Sequence, residues 1–67
     1  MKLDLSLRQQ YQALRRSKKI KLKYLAIKVG VSVPMLSMYE NEFVNLRREK
    51  ENKYIESIIT YRDDDTN

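Results

Sequence analysis

The sequence predicts an all-helical fold, and three observations carry that reading. Helix breakers are scarce, with one Gly and one Pro in 67 residues, both inside the short stretch 30–34. Apolar residues recur at spacings of three and four rather than two, which is the helical period. The remainder is rich in Tyr, Leu, Ile, Lys, Arg and Glu. A chain this short has room for one small core, so the expected architecture is a compact bundle of four helices, or five, in one domain.

The first helix is expected over 6–17. Ser6 is a suitable N-cap, and Gln9 three residues later completes a capping box. Leu7, Tyr11 and Leu14 then form a stripe at i, i+4 and i+7 that should face the core, with Leu3 and Leu5 packing beneath it or fraying. A short second helix over 22–29 presents Leu22, Leu25, Ala26 and Val29 on one side, and Gly30 ends it in the left-handed conformation. A third helix follows over 33–39, capped by Ser32 or by Val33, because a residue preceding proline avoids the helical region. Pro34 is tolerated in that first turn, where its missing N–H would have lacked a partner. The fourth helix is expected over 46–61, capped by Asn45 and burying Tyr54, Ile55, Ile58 and Ile59. The domain thus spans 1–62, and 63–67, carrying Asp63, Asp64 and Asp65 and no apolar residue, reads as a disordered acidic tail.

Composition excludes several function classes. Cys and His are both absent, which removes disulfides, thiol nucleophiles, imidazole bases and the usual zinc constellations. No residue set pairs a nucleophile with a positioned base, so an enzyme is not expected, nor is a cofactor, a metal or a small-molecule ligand. Asp4 interrupts the first leucines, so no secretory leader is read there, and no apolar run approaches the roughly 20 residues of a membrane span. A cytoplasmic protein is expected.

Charge is more informative than hydrophobicity. Fourteen Lys and Arg against nine Asp and Glu give +5 at pH 7. Arg8, Arg15, Arg16, Lys18, Lys19, Lys21, Lys23 and Lys28 all fall in a stretch without a single acid. Such a run is either a solvated face or one basic surface for a polyanion.

The segment LKYLAIKVGVSVPMLSMYEN carries the strongest motif. Two helices that cross steeply over a tight turn need a small residue at their close approach, a glycine in the turn and apolar residues closing the angle. Ala26, Gly30, and the trio Val31, Leu36 and Tyr39 fill those roles. Over 14–41 the skeleton LRR…LA…GVS…LS.YEN resembles the phage-repressor and Cro class of helix-turn-helix regulators, the xenobiotic-response-element family. That resemblance implies a lambda-repressor-like domain whose third helix lies in the major groove of double-stranded DNA. It implies that Val33, Pro34, Ser37 and Met38 face base edges, that Lys21, Lys23 and the start of the second helix lie beside phosphates, and that Asn41 contacts the backbone. Arg15 and Glu40 match a pair that forms a structural ion pair in relatives. A transcription regulator of phage or mobile-element type, nucleoid-associated in a bacterial cell or phage-infected host, is what the resemblance implies.

The sequence departs from the family pattern in three places. Leu22 stands where many relatives have Gln, Glu42 replaces a frequent Gly, and no Lys or Arg occurs from Val29 through Leu46. The third helix is therefore expected to read thymine methyls through Val33, Pro34, Met35 and Met38 rather than form bidentate hydrogen bonds. Met35 is equally suited to completing the core, and Met38 less so. An exposed apolar stripe also suits a protein partner, which gives a second expectation: a helix-turn-helix-fold interaction factor, antirepressor or corepressor. Pairing into a homodimer is expected, if at all, through Ile58, Ile59 and Tyr61, a face that serves equally as core. Tyr11, Tyr24, Tyr54 and Tyr61 read as residues at the core edge with wet hydroxyls, without the clustering that stacking on single-stranded bases requires.

Overall fold

The computed structural model describes residues 6–62 and contains α1 (Leu7–Ser17), α2 (Leu22–Val29), α3 (Val33–Glu40) and α4 (Arg48–Ile59), with no strand among the described residues. The fold class is all-α. Leu3, Leu5 and the aspartates at 63–65, for which packing and a tail were expected, lie outside the described residues. No helix among those described is long and apolar enough to cross a membrane.

The helix starts follow from local hydrogen bonding. Ser6 accepts from the Gln9 amide at 3.1 Å while Gln9 Oε1 accepts from the Ser6 amide at 3.0 Å, a complete capping box. Ser32, not Val33, caps α3, its hydroxyl accepting from Met35 N at 3.1 Å, and Pro34 sits in the first turn. Asn45 does not cap α4. That helix begins at Arg48 behind Arg47, which makes no side-chain cap bond, because the Asn45 side-chain oxygen instead accepts from Arg8 Nη2 at 2.9 Å. Leu46 precedes the helix and packs half-buried against the core.

Three helices end in the left-handed conformation, and only one of them uses glycine. Gly30 (φ 86) ends α2, Lys19 (φ 59) follows α1 and Glu42 (φ 64) follows α3. After α1, Lys19 N donates to Arg16 O and Ile20 N to Arg15 O; after α3, Glu42 N donates to Tyr39 O and Phe43 N to Met38 O. Both are full Schellman motifs, which satisfy carbonyls left without an intrahelical partner. Cations supply the rest: Lys50 Nζ lies 3.4 Å from Val29 O and Gly30 O at the end of α2. Arg8 Nη1 donates to Tyr39 O at 3.1 Å near the end of α3, and Lys18 Nζ donates to Ile58 O and Ile59 O at 2.8 and 3.1 Å at the end of α4. Each meets the negative end of a helix dipole.

The core consists of Ile20, Leu25, Ala26, Val29, Leu36, Tyr39, Tyr54 and Ile58. It is drawn from α2, α3, α4 and the α1–α2 turn. The helix α1 contributes no buried residue; Tyr11 and Leu14 pack partly against the core. Leu7, expected in the same stripe, is 60% exposed, because it lies on the first turn of α1, beyond the edge of the small core that Tyr11 and Leu14 reach. Two expectations for α4 also change. Ile59 is 54% exposed rather than buried, and Tyr61 lies beyond the helix, its ring edge-to-face with Tyr24 at 5.3 Å. Since Ile58 is fully buried and Tyr61 is engaged internally, the face Ile58, Ile59 and Tyr61 reduces to one exposed isoleucine.

The left-handed positions give a stability test. Replacing Lys19 or Glu42 by Gly removes a Cβ from a conformation that disfavours it, and each substitution is expected to stabilise the domain by about 1 kcal/mol. Gly30→Ala is expected to destabilise by at least about 1 kcal/mol, its Cβ meeting Lys50 Nζ at 3.3 Å on a backbone of positive φ. Urea unfolding of the three variants measures all of this.

Candidate nucleic-acid interface

The side of α3 that faces water is fixed by the side that does not. Leu36, Tyr39 and Glu40 point inward and are buried. A buried carboxylate requires donors, and Glu40 receives them from two other helices. Arg15 of α1 approaches through Nε at 2.6 Å to Oε2 and Nη2 at 2.9 Å to Oε1, a bidentate ion pair. Tyr54 of α4 donates to Oε2 at 2.7 Å, and Gln12 Nε2 lies 3.4 Å from Oε1. The remaining Arg15 Nη1 donates to Ile20 O at 3.0 Å. Tyr54 is therefore no core-edge residue with a wet hydroxyl. It is buried, because Glu40 gives its hydroxyl an acceptor inside the core.

A second polar set adjoins the first. The Arg8 guanidinium stacks 4.1 Å from the Tyr39 ring centroid and Nη1 also donates to Val44 O at 3.1 Å. Tyr39 O–H donates to Glu51 of α4, and its ring meets that of Tyr54 edge-to-face at 5.2 Å. Burial first, then the carboxylate accepting from each hydroxyl, holds both phenols protonated well above the ordinary tyrosine range, with Arg8 and Arg15 opposing the shift.

With its inner side committed, α3 turns Val33, Pro34, Ser37, Met38 and Asn41 outward. Val33 and Met38 are 39% and 40% exposed, Pro34 and Asn41 are exposed and Ser37 is half-buried. These are the five α3 positions expected from the resemblance to face DNA, and they share one face at i, i+1, i+4, i+5 and i+8. Asn41 Nδ2 donates to Ser37 O at 2.9 Å. Met35 is half-buried at the margin. Lys21 is the exposed N-cap residue of α2 and makes no side-chain cap bond; Lys23 is exposed one residue inside that helix. The first amides of α2 thus lie open beside two cations, an arrangement suited to a phosphate.

Phe43 was not singled out in the sequence, yet it is the most exposed large apolar residue described, at 79%. The left-handed Glu42 makes it the residue whose amide bonds Met38 O, the pair of positions at which a Schellman motif brings apolar side chains together. A sequence signal existed only in the position of Glu42, where the regulators that the sequence resembles frequently carry Gly. The basic run also divides. Arg8, Arg15 and Lys18 are committed to internal acceptors, while Arg16, Lys19, Lys21, Lys23 and Lys28 are exposed.

The Glu40 cluster generates two expectations. Arg15→Met and Glu40→Met should each cost about 3–5 kcal/mol, and the double variant less than their sum. Tyr54→Phe should destabilise the wild type but stabilise the double variant, where the buried hydroxyl has lost its acceptor; the same sign in both backgrounds contradicts the cluster. The second concerns alkali. Because Tyr39 and Tyr54 hold their protons more tightly folded than unfolded, their contribution to stability is fully present below about pH 10 and is lost as pH rises above it, at about 1.4 kcal/mol per pH unit for each. Tyrosinate absorbance during alkaline titration should show these two ionising together with unfolding, and Tyr54→Phe should make stability fall less steeply.

Compared with protein-family models, curated proteins and solved structures, the chain matches none.

Proposed function

We propose that this chain is a sequence-specific double-stranded DNA-binding transcription regulator of phage or mobile-element type, with a lambda-repressor-like helix-turn-helix formed by α2 and α3. The observation that carries the reading is the outward face of α3: Val33, Pro34, Ser37, Met38 and Asn41 are presented to solvent while Leu36, Tyr39 and Glu40 anchor the helix. The open N-terminus of α2 with Lys21 and Lys23 supplies phosphate contacts, which orient the domain without specifying sequence. Readout rests on packing against thymine methyls and on Ser37 and Asn41 as polar contacts. Since Glu40 is neutralised by Arg15, the exposed acid next to this face is Glu42.

One observation favours a second reading, a helix-turn-helix-fold factor that binds a protein. Phe43 is far more exposed than Val33 or Met38, and an apolar trio suits a protein groove. Salt separates the two, because phosphate contacts release counterions and apolar contacts do not.

After selection of a preferred site from random duplex DNA, Lys21→Ala with Lys23→Ala should weaken binding to every sequence alike and reduce the slope of log affinity against log salt by about 1.8, two phosphates' worth. Replacing a contacted thymine by uracil should cost about 0.8 kcal/mol, the value of one buried carbon, and Met38→Ala should abolish that difference with the slope intact. Uracil without effect, together with a co-purifying protein released by Met38→Ala, supports the protein-binding reading instead.

A further inference from the structure

Two open grooves are lined by the end of α1 and the turn after it, by α2 and by α4 with the two residues just beyond it, and by no residue of α3. The larger, about 590 Å³, is bordered by Tyr24, Lys28 and Lys53. The smaller, about 430 Å³, is bordered by Lys18, Lys19 and Tyr61. The two tyrosines join them, rings edge-to-face at 5.3 Å and 81°. Spacing along the sequence gave no hint of this cluster, because it forms only when the chain leaving α4 returns to α2.

The chemistry of the strip is specific. Four lysines flank two half-buried rings, against one carboxylate, Glu56, in the larger groove. Lys18 is pinned by Ile58 O and Ile59 O, so its charge is fixed in place. Lys28 Nζ lies 5.4 Å from the Tyr24 ring centroid, while Lys19 and Lys53 are exposed. Lysines alone would suit any polyanion. The aromatic pair narrows the choice, because a duplex presents phosphates but hides the faces of its bases, whereas a single strand offers both.

We propose that the Tyr24 and Tyr61 pair, with Lys19, Lys28 and Lys53 beside it, binds single-stranded nucleic acid, phosphates against the lysines and bases against the tyrosines. The site is separate from the α3 face and stands whether or not that face reads duplex DNA.

The test is fluorescence anisotropy at low salt with a labelled oligothymidylate of about 12 nucleotides, within the span of small single-strand binders, and an abasic strand of equal length. The oligothymidylate should bind at least about tenfold more tightly than the abasic strand, since stacking adds to the phosphate contacts. Lys28→Ala with Lys53→Ala, both exposed, should weaken both strands about tenfold or more. Tyr61→Leu should remove the thymidylate advantage but keep abasic binding, and Met38→Ala should change neither. Equal binding of the two strands, no binding of either, or losses with Lys21→Ala and Lys23→Ala that match those of Lys28→Ala and Lys53→Ala would overturn the proposal.

Discussion

The carboxylate of Glu40 is the point at which three of the four helices meet. It belongs to α3, accepts a bidentate pair from Arg15 of α1 and a hydroxyl bond from Tyr54 of α4, and is buried among them. A charge in that position is tolerable only while its donors are present, so the cluster works as a register device. Were α3 rotated about its axis, Glu40 would lose its donors and Leu36 and Tyr39 would leave the core. The outward direction of Val33, Ser37 and Met38 follows from that constraint, and the constraint also attaches α1, a helix without a buried apolar residue of its own.

The same economy of polar contacts explains where the positive charge goes. A chain of net charge +5 would be read as a single basic surface, yet Arg8, Lys18 and Lys50 meet carbonyls at the ends of α3, α4 and α2, and Arg15 is enclosed by Glu40 and Ile20. Five of the exposed cations fall into two places. Lys21 and Lys23 lie at the start of α2, and Lys19, Lys28 and Lys53 border the tyrosine strip. In the proposed function, the nearly uncharged outer face of α3 suits recognition by shape and methyl contact, with orientation delegated to the lysines at the start of α2.

Much of the fold was legible because local rules agreed with one another. The capping box at Ser6, the single glycine at a left-handed turn and the period of α2 each specify backbone without reference to distant residues, and the described structure follows them. The start of α4 was misread for the opposite reason: Asn45 has the chemistry of a cap, but Arg8, far away in sequence, takes its side chain. Leu7 failed because an amphipathic stripe says which face turns inward, not how far a small core extends. Of the candidate site, the exposed positions of α3 could be placed from helical spacing once Leu36 and Tyr39 were assigned inward. Phe43 and the Tyr24–Tyr61 pair could not, since one depends on a non-glycine left-handed residue and the other on a contact between chain segments far apart.

In the proposed function, the arginines of α1 hold the fold together while the outer face of α3 and the start of α2 meet nucleic acid. An NMR titration of the nitrogen-15-labelled protein with duplex DNA tests it most directly, because amide and arginine Nε signals are read in one spectrum. The expected result is that amides of Lys21, Lys23, Val33, Ser37, Met38 and Asn41 shift progressively while the Nε–H signals of Arg8 and Arg15 stay in place. Movement of the Arg15 Nε–H signal, with the α3 amides unchanged, would contradict the account.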